Sequence, residues 1–163
     1  MKTLLVVYHS MTGGAAQMAE AVERGAAGET GVSTRRLDAA ATSASDVLGA
    51  DGYAFVTPEN LASMSGMMKD FFDRTYYAAL DRIDGRPYAA LICAGSDGQS
   101  AARQIERICT GWRLKRVANT LIVSTHAQTA EEILAPKTIA PSEIARCEAI
   151  GTALAAGLAL GVF

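Results

Sequence analysis

The residues best suited to chemistry form a hydroxyl- and glycine-rich loop directly after the first apolar run of the chain. That run, residues 4–8, leads into a loop before a helical pattern begins: Ser10, Met11, Thr12, Gly13, Gly14 and Ala15. Glycines let the backbone approach a ligand closely, hydroxyls can donate hydrogen bonds, and the free N–H groups of the following helix point at an anion. We therefore expect this loop to bind a phosphate group.

The loop carries no cation of its own, since no lysine or arginine lies between Tyr8 and Gln17. Neutral donors and the helix dipole, about half a unit charge, would then hold the phosphate, which favours a small, enclosed phosphate monoester. A triphosphate site ordinarily has G-x-x-x-x-G-K-[ST] and a dinucleotide site G-x-G-x-x-G, and neither spacing is present. A plain strand-to-helix turn is the competing interpretation, but Ser10 and Thr12 add donors that such a turn does not need.

Composition argues against nucleic acid and membranes as partners. The chain has 163 residues, half of them apolar and a fifth charged, with a formal net charge of −2. A nearly neutral chain favours neither nucleic acid nor an anionic membrane, and the apolar stretch 149–163 is shorter than the ~20 residues of a membrane span. Cys93, Cys109 and Cys147 are odd in number and lack C-x-x-C spacing. We expect reduced, buried thiols, no metal site and a cytoplasmic protein without a signal peptide.

Strand and helix patterns alternate along the chain. The expected strands are residues 2–8, 32–37, 52–57, 88–93 and 117–123, with the second at a sheet edge and the third stopped by Pro58. Helical patterns follow each of the first four strands and also begin at Pro141, whereas residues 125–139 are expected to be a long surface connection. Parallel neighbours need right-handed helical crossovers, so we predict one α/β domain over residues 1–163, with helices on both faces of a five-stranded parallel sheet.

Two of the predicted helices have recognisable hydroxyl caps, and one has a recognisable apolar face. Ser63 or Ser65 is expected to cap the third helix, whose apolar face is predicted to comprise Met64, Met67, Met68, Phe71, Phe72, Tyr76 and Ala79. A shorter helix is expected over residues 45–48, opened by a hydroxyl cap.

Three loops of unusual composition lie at the carboxyl ends of the predicted strands, namely residues 10–15, 57–63 and 94–98. In the doubly wound order 2-1-3-4-5, a crevice opens where strands one and three lie side by side and their connections diverge. We expect the three loops to meet there around one ligand.

The first loop resembles a known phosphate loop. Ser10, Thr12 and Gly13 are similar to the Ser/Thr-x-Thr-Gly-x-Thr pattern of flavodoxins, with Ala15 in place of the last hydroxyl. The element order of nearly the whole chain shares this resemblance, which implies a flavodoxin-like three-layer sandwich.

The second loop resembles a more specific branch. Residues 57–74 look like the Pro-Glu…Ser-Gly-x-x-Lys-x-x-x-Asp segment of the NAD(P)H-dependent FMN reductases and quinone reductases. Asn60 and Leu61 stand where many of those reductases have a tyrosine and an asparagine. This difference concerns the surface that would face the substrate.

The resemblance implies FMN as the ligand. It implies that residues 10–15 wrap the phosphate, mostly through backbone N–H groups. The ribityl chain and one ring edge would contact Pro58, Glu59, Asn60 and Leu61. The pyrimidine end would contact Ala94, Gly95, Ser96, Asp97 and Gly98. FMN itself would carry the chemistry at its N5 atom, so no catalytic side chain is implied.

Several polar residues have a competing structural interpretation. Glu59 and Asp97 could instead cap local N–H groups at turns, and Asp38 is best interpreted as a turn aspartate. His9 and His126 stand at strand ends, where ordinary hydrogen-bonded histidines are the simpler interpretation. Lys69, Asp73 and Arg74 have the spacing of surface ion pairs on a helix.

The flavin-facing loops contain no aromatic residue. Electron-carrier flavodoxins surround the flavin with aromatic side chains and have a strongly acidic surface, so an open flavin face and a slight charge favour hydride chemistry. The sequence thus predicts an NAD(P)H-dependent oxidoreductase that passes hydride through FMN to a quinone, a flavin or a similar small-molecule acceptor. The reductase branch implies a homodimer or homotetramer. The acceptor and the choice between NADPH and NADH stay open.

Two alternatives from other classes remain. The chain could be a flavodoxin-type electron carrier for a redox partner protein, or a binding domain on the same fold that has lost FMN because of Ala15. A receiver domain loses support because Thr57-Pro58 stands where its phosphoacceptor aspartate would be, and a low-molecular-weight phosphatase because no cysteine opens a Cys-x5-Arg motif.

Overall fold

The computed structural model describes all residues 1–163 and contains seven strands and six α-helices. In chain order these are β1 (Lys2–Tyr8), α1 (Gly14–Ala26), β2 (Val32–Asp38), α2 (Ala44–Gly49), β3 (Gly52–Asn60), β4 (Ser63–Met64), α3 (Gly66–Ala79), β5 (Pro87–Ala94), α4 (Gln99–Gly111), β6 (Lys115–Arg116), β7 (Leu121–Ser124), α5 (Ala130–Leu134) and α6 (Pro141–Leu160). A short 3-10 turn, Ala39–Ala41, precedes α2.

The parallel sheet has the order β2-β1-β3-β5, and both β6 and β7 pair with the outer side of β5. Taken together, β6 and β7 occupy the position of the predicted fifth strand. The order 2-1-3-4-5 is therefore confirmed, and β2 lies at the sheet edge as predicted. The switch point falls between β1 and β3, as the crevice rule requires.

The predicted fifth strand, residues 117–123, is wrong in its extent. The structure instead has two short strands, and after the bond from the N–H of Val117 to the carbonyl oxygen of Tyr88 the chain leaves the ladder until Leu121. The chain on both sides of the break is held by α4, because Arg116 Nη1 and Thr120 Oγ1 both donate to Glu106 Oε1, at 3.0 and 2.8 Å.

The expectation that Pro58 ends the third strand is also wrong. Strand β3 continues to Asn60, and Pro58 is paired in register with Cys93 at the last position of the parallel ladder. Proline is tolerated at such an end, where its missing N–H group is not needed. Beyond it, Glu59 and Asn60 form a small antiparallel hairpin with β4, which carries the second loop outward from the sheet.

Apolar side chains fill both faces of the sheet. One face packs against α2, α3 and α4 and contains the large aromatic residues Tyr53, Phe55, Phe71, Phe72 and Trp112, all fully buried. The other packs against α1 and α6. Alternate residues of the strands serve the two faces, so the three-layer sandwich follows from the continuous apolar runs.

Helices α1 and α6 approach each other closely at two glycines. A Cβ atom on Gly25 would lie 2.0 Å from the carbonyl oxygen of Glu148, and one on Gly151 would lie 2.0 Å from that of Val22. No larger residue fits at either position without moving the backbone. This contact fixes α6 beside α1 and so determines where the chain before α6 must run.

Serine side chains begin two of the helices. Ser65 caps α3 by accepting a hydrogen bond from the N–H of Met68 at 3.2 Å, which decides between the two expected serines. Ser43, and not a residue within 45–48, caps α2 through a reciprocal capping box with Asp46.

The predicted apolar face of α3 is buried within the chain except at Tyr76, which is partly buried, and Met67. Met68, Phe71, Phe72 and Ala79 are buried, whereas Met67 is 39% exposed and does not belong to the core face. This face is therefore occupied by intramolecular packing and offers little surface for a partner subunit. All three cysteines are buried as unpaired thiols. None of the helices combines the length and apolar character needed to cross a bilayer.

Candidate functional site

One cavity of about 480 Å³ opens at the carboxyl ends of β1, β3 and β5. All three predicted loops line it, through Ser10, Met11, Thr12, Gly14, Ala15, Pro58, Glu59, Asn60, Leu61, Ala94, Gly95 and Ser96. Its volume lies in the range of about 300–1,000 Å³ that is typical of small-molecule and cofactor sites. The structure therefore brings the predicted loops together at one place.

The first loop exposes a row of backbone donors. The N–H groups of Ser10, Met11, Thr12, Gly14, Ala15 and Ala16 donate no hydrogen bond within the protein. Gly13, with a φ of +97°, turns the chain, and its N–H group donates to Ser10 Oγ at 3.1 Å. The Ser10 hydroxyl accepts this bond, and its own proton has no acceptor within the protein. Such a cluster of free donors at a helix N-terminus suits an anion such as phosphate.

The loop lies directly on β5. A Cβ atom on Gly14 would be 2.6 Å from Cys93 Sγ, so glycine is required there for the loop to approach the strand. Cys93 forms part of the cavity floor. Burial raises the pKa of its thiol to about 11, so the thiol is protonated at neutral pH. It is therefore no nucleophile in this setting.

The second and third loops are joined by the Glu59 carboxylate. Glu59 Oε1 accepts a hydrogen bond from the N–H of Gly98 at 2.9 Å, and Oε2 accepts one from the N–H of Ala101 at 3.1 Å. These are free donors at the N-terminus of α4, which has no cap from its own N-cap residue. Glu59 thus acts as a helix cap, the alternative considered from the sequence, although it does so across loops rather than within its own turn. Whether it also contacts a flavin stays a prediction.

The third loop is placed by two glycines that accept no side chain. A Cβ atom on Gly95 would lie 2.6 Å from the carbonyl oxygen of Ala127, and one on Gly98, whose φ is +82°, would lie 2.6 Å from Ile122 Cγ2. Gly98 itself does not line the cavity. Gly13 and Asp97 do not line the cavity either. Asp97 is exposed and makes no hydrogen bond or ion pair within the protein.

The hairpin of the second loop ends in a strained turn. Leu61 and Ala62 have φ values of +50° and +58°, and together they form the two-residue turn between β3 and β4. Such a turn normally favours Asn-Gly, because each non-glycine residue in the left-handed region costs about 1–2 kcal/mol. Leu61 is fully exposed, and with the half-exposed Met11 and Ile133 it makes the mouth of the cavity apolar.

The connection 125–139 supplies a fourth wall that the sequence analysis missed. It contains α5 and contributes Thr125, Ala127, Gln128, Ile133 and Lys137 to the cavity lining. The capping box formed by Thr129 and Glu132 is a local signal that could have revealed α5. No local signal could have shown that this segment faces the first loop.

Gln17 holds this segment against the first loop. Its Nε2 atom donates to the carbonyl oxygens of Gly13 at 3.0 Å and Lys137 at 2.7 Å, while its Oε1 atom accepts from the N–H of Ile139 at 2.9 Å. The N–H of Lys137 also donates to the carbonyl oxygen of Thr12 at 2.9 Å. Three hydrogen bonds therefore tie the connection to Gln17 and the first loop, and a fourth ties Gln17 to Gly13.

The histidines do not line the cavity. The backbone N–H of His9 donates to the carbonyl oxygen of Val56 at 3.1 Å, and its Nδ1 atom is buried without a hydrogen-bond partner. His126 is exposed and lies 3.4 Å from Ser124 Oγ through its Nδ1 atom. Neither is placed for chemistry at the cavity.

Other polar candidates have structural roles away from the site. Lys69 forms an ion pair with Asp73 at 2.6 Å, and Arg74 pairs with Asp70 at 2.7 Å. Asp38 accepts a hydrogen bond from the N–H of Ala40 at 2.8 Å and so caps the 3-10 turn. These contacts confirm that Lys69, Asp73 and Arg74 form surface ion pairs and that Asp38 is a turn aspartate.

No aromatic residue lines the cavity, and its ionisable side chains are Glu59, Cys93 and Lys137. Most aromatic residues of the chain lie in the core between the sheet and helices α2, α3 and α4. A ligand in this cavity is therefore held by backbone groups, small side chains and apolar side chains, without an aromatic cover.

The comparison with protein families gives one match. The family model described as NADPH-dependent FMN reductase matches residues 28–128. This range includes the second and third loops of the cavity and begins after the first loop.

Among curated proteins, a flavodoxin from Aquifex aeolicus (strain VF5) is 36% identical over 98 residues, which make up 60% of this chain and 53% of the relative. The chain thus spans about half the length of the curated relative that it matches.

Solved structures share the fold. A flavodoxin from the domain Archaea has a TM-score of 0.77 at 17% identity, covering 96% of this chain and 98% of its own. A WrbA-like flavodoxin protein from Agrobacterium tumefaciens has a TM-score of 0.67 at 18% identity, covering 99% of each chain. The flavodiiron core of Flv1 from Synechocystis sp. PCC6803 has a TM-score of 0.77 at 18% identity, covering 98% of this chain and 36% of its own. The predicted flavodoxin-like fold is thereby confirmed.

Proposed function

The chain belongs to the NADPH-dependent FMN reductase family, and we propose on that premise that it is an oxidoreductase that uses bound FMN to pass a hydride from NADPH or NADH to a small-molecule acceptor. A quinone or a free flavin is the class of acceptor that we favour. The observation that carries this proposal is the cavity itself, in which free backbone donors face an open pocket without any aromatic side chain.

The residues present fit FMN at the phosphate end. The free N–H groups of residues 10–12 and 14–16, with the hydroxyls of Ser10 and Thr12, would hold the phosphate. Ala15 removes one hydroxyl of the family pattern, but its N–H group remains available. Relative to the family pattern, the loop therefore lacks one hydroxyl donor and keeps the others.

The chain contributes binding and orientation rather than proton transfer. FMN, when bound, supplies the hydride chemistry through its N5 atom. The Glu59 carboxylate is occupied by two N–H groups of α4, and the high pKa of Cys93 keeps its thiol protonated. Neither group is suited to act as an acid or base, which a hydride transfer does not require.

The mouth of the cavity supports a planar, largely apolar co-substrate. Met11, Leu61 and Ile133 present exposed apolar side chains there. A nicotinamide or a quinone ring could stack on the uncovered flavin face between them. An aromatic cover at the same place would exclude such a ring.

A second candidate function is that of an electron carrier for a redox partner protein. The curated relative from Aquifex aeolicus, which is named flavodoxin, favours it. Two observations favour the reductase instead: the net charge is only −2, and no aromatic side chain lines the cavity where it could cover a flavin.

An anaerobic titration of the FMN-loaded protein with NADPH, and separately with NADH, tests the proposal. The visible flavin band should bleach in one two-electron step with at least one nucleotide. Bound flavin that ignores both nucleotides, and that dithionite reduces in two separate one-electron steps, would favour the carrier. FMN-loaded protein that consumes neither nucleotide in the presence of quinone, ferric and azo acceptors would refute the reductase.

We extend the proposal to a cytoplasmic homodimer or homotetramer. The exposed apolar residues Met1, Leu160 and Val162, none of which lines the cavity, support an interface near the end of α6. Light scattering coupled to size exclusion would give the mass of the particle, and a monomer at micromolar concentration would contradict this extension.

A further inference from the structure

We propose that Lys137 adds a positive charge beside the phosphate group of the bound cofactor, in addition to the neutral donors of residues 10–16. This inference rests on the proposed FMN function and assigns to that site a residue that lies outside its three recognisable loops. Lys137 is the one cationic side chain among the residues that line the cavity.

The backbone of Lys137 is anchored to the phosphate loop on both sides of its peptide unit. Its N–H group donates to the carbonyl oxygen of Thr12 at 2.9 Å, and its carbonyl oxygen accepts from Gln17 Nε2 at 2.7 Å. Its Cβ atom would lie 3.5 Å from a Cβ atom placed on Gly14. The stem of the lysine therefore begins beside the free N–H groups that would bind the phosphate.

The ammonium group is held in place by the end of α5. Lys137 Nζ donates to the carbonyl oxygens of Glu132 at 2.7 Å and Ile133 at 2.9 Å, and also to that of Ala135. These carbonyls form the negative end of the short helix, and the lysine charge offsets them. All three ammonium protons are donated to these carbonyls, so Lys137 would act on an anion in the cavity through its charge and not through a hydrogen bond.

The positive charge of Lys137 acts on Cys93, which forms part of the cavity floor. Burial raises the pKa of the Cys93 thiol, and the positive charge of Lys137 acts on it in the opposite direction. Cys93 Sγ lies directly beneath Gly14, the first residue of α1. The field of Lys137 therefore reaches the N-terminal end of α1, where it adds to the positive end of the helix dipole.

The charge of the ligand explains how such a lysine would strengthen binding. A phosphate monoester carries about −1.5 to −2 charges at neutral pH, and a nearby positive charge lowers the cost of burying it among neutral donors. A lysine held by carbonyl oxygens loses little flexibility when the ligand binds, because its side chain is already ordered. It thus favours FMN over riboflavin, which is the same molecule without the phosphate.

The affinities of FMN and riboflavin for the apoprotein, measured by quenching of flavin fluorescence, test the inference. Lys137→Met should weaken FMN binding about tenfold, which corresponds to about 1.4 kcal/mol, and change riboflavin binding less than about twofold. Lys137→Arg keeps the charge and should retain most of the preference for FMN. Lys115→Met removes the same charge from an exposed position on β6, outside the cavity, and should change neither affinity.

The riboflavin measurement separates the electrostatic role from a structural one. Equal losses for FMN and riboflavin in Lys137→Met would mean that the lysine serves only to cap α5, and would overturn the inference. Unchanged FMN binding in that variant would also overturn it while leaving the proposed function intact. Wild-type protein that binds no FMN would overturn both. Added salt should reduce the FMN preference of the wild type more than that of Lys137→Met.

Discussion

Replacing Glu59 by glutamine should lower the stability of the protein by about 2 kcal/mol. The carboxylate accepts two hydrogen bonds from the N-terminus of α4, at 2.9 and 3.1 Å. A glutamine has one carbonyl oxygen, so one N–H group loses its acceptor and the charge next to the positive helix end is lost. A hydrogen bond to a charged group contributes about 1.5–3 kcal/mol and the dipole interaction about 0.3–1 kcal/mol. Added together, these two contributions give about 1.8–4 kcal/mol. Since Glu59 is only half-buried, we expect a loss of stability near the lower end of that range.

Urea unfolding of the apoprotein measures this difference directly, because a shift of the midpoint at constant slope reports stability. For a chain of this length, the loss corresponds to a drop in Tm of roughly 4–8 °C. Asp97→Asn is the matched control, since this exposed carboxylate of the third loop makes no hydrogen bond within the protein. It should change the unfolding free energy by less than about 0.5 kcal/mol.

The same substitution should weaken FMN binding, because Glu59 is the side chain that joins the second and third loops. A Glu59→Gln protein whose unfolding free energy lies within about 0.5 kcal/mol of the wild type would refute the assignment of Glu59 as the cap of α4. An equal loss in Asp97→Asn would refute it as well, because the effect would then reflect loop charge alone.

Three further predictions concern the phosphate loop and the thiol beneath it. Gly14→Ala should cost about 1–3 kcal/mol of unfolding free energy, because its Cβ atom would lie 2.6 Å from Cys93 Sγ, and the double variant with Cys93→Ala should recover much of that loss. Gln17→Leu removes three hydrogen bonds to the loop and the connection 125–139, and limited proteolysis should then cut within that connection sooner. Burial raises the pKa of Cys93 to about 11, so the folded state retains a proton that the unfolded state loses near pH 9, and stability should fall as the pH rises from about 9 to about 11.

Each of these predictions has its own control. Additive losses in Gly14→Ala and Cys93→Ala would show that the two residues do not meet as described. Unchanged cleavage in Gln17→Leu would show that the connection is held by other contacts. The decline in stability with pH should be shallower in Cys93→Ala, since the other buried thiols remain, and an identical decline would contradict the effect assigned to Cys93.

The main features of the fold could be predicted from local patterns. Continuous apolar runs indicated strands covered on both faces, and the order of alternating elements led to the parallel sheet. The errors arose where local signals compete. Pro58 is usually a strand breaker, yet it lies at a ladder end where no N–H group is needed. Met67 has the helical spacing of a core residue, but it points outward.

The candidate site could be predicted only as a set of loops. The glycine and hydroxyl pattern of residues 10–15 predicted free backbone donors, and the structure contains them. The side-chain partners in the site lie far apart in sequence. Glu59 binds the N-terminus of α4 from 39 and 42 residues away, and Gln17 binds Lys137 from 120 residues away. No periodicity or turn signal extends over such separations.

By itself the sequence determined the alternation of strands and helices and the three loops at the strand ends, because apolar period and turn chemistry act within a few residues. The tertiary structure alone decided which polar groups of those loops are already occupied and that residues 125–139 complete the cavity. The position of residues 125–139 has a geometric reason. Strand β7 ends at the carboxyl edge of the sheet, while α6 must pack on α1 at Gly25 and Gly151, so the chain between them crosses the phosphate loop and carries Lys137 to it.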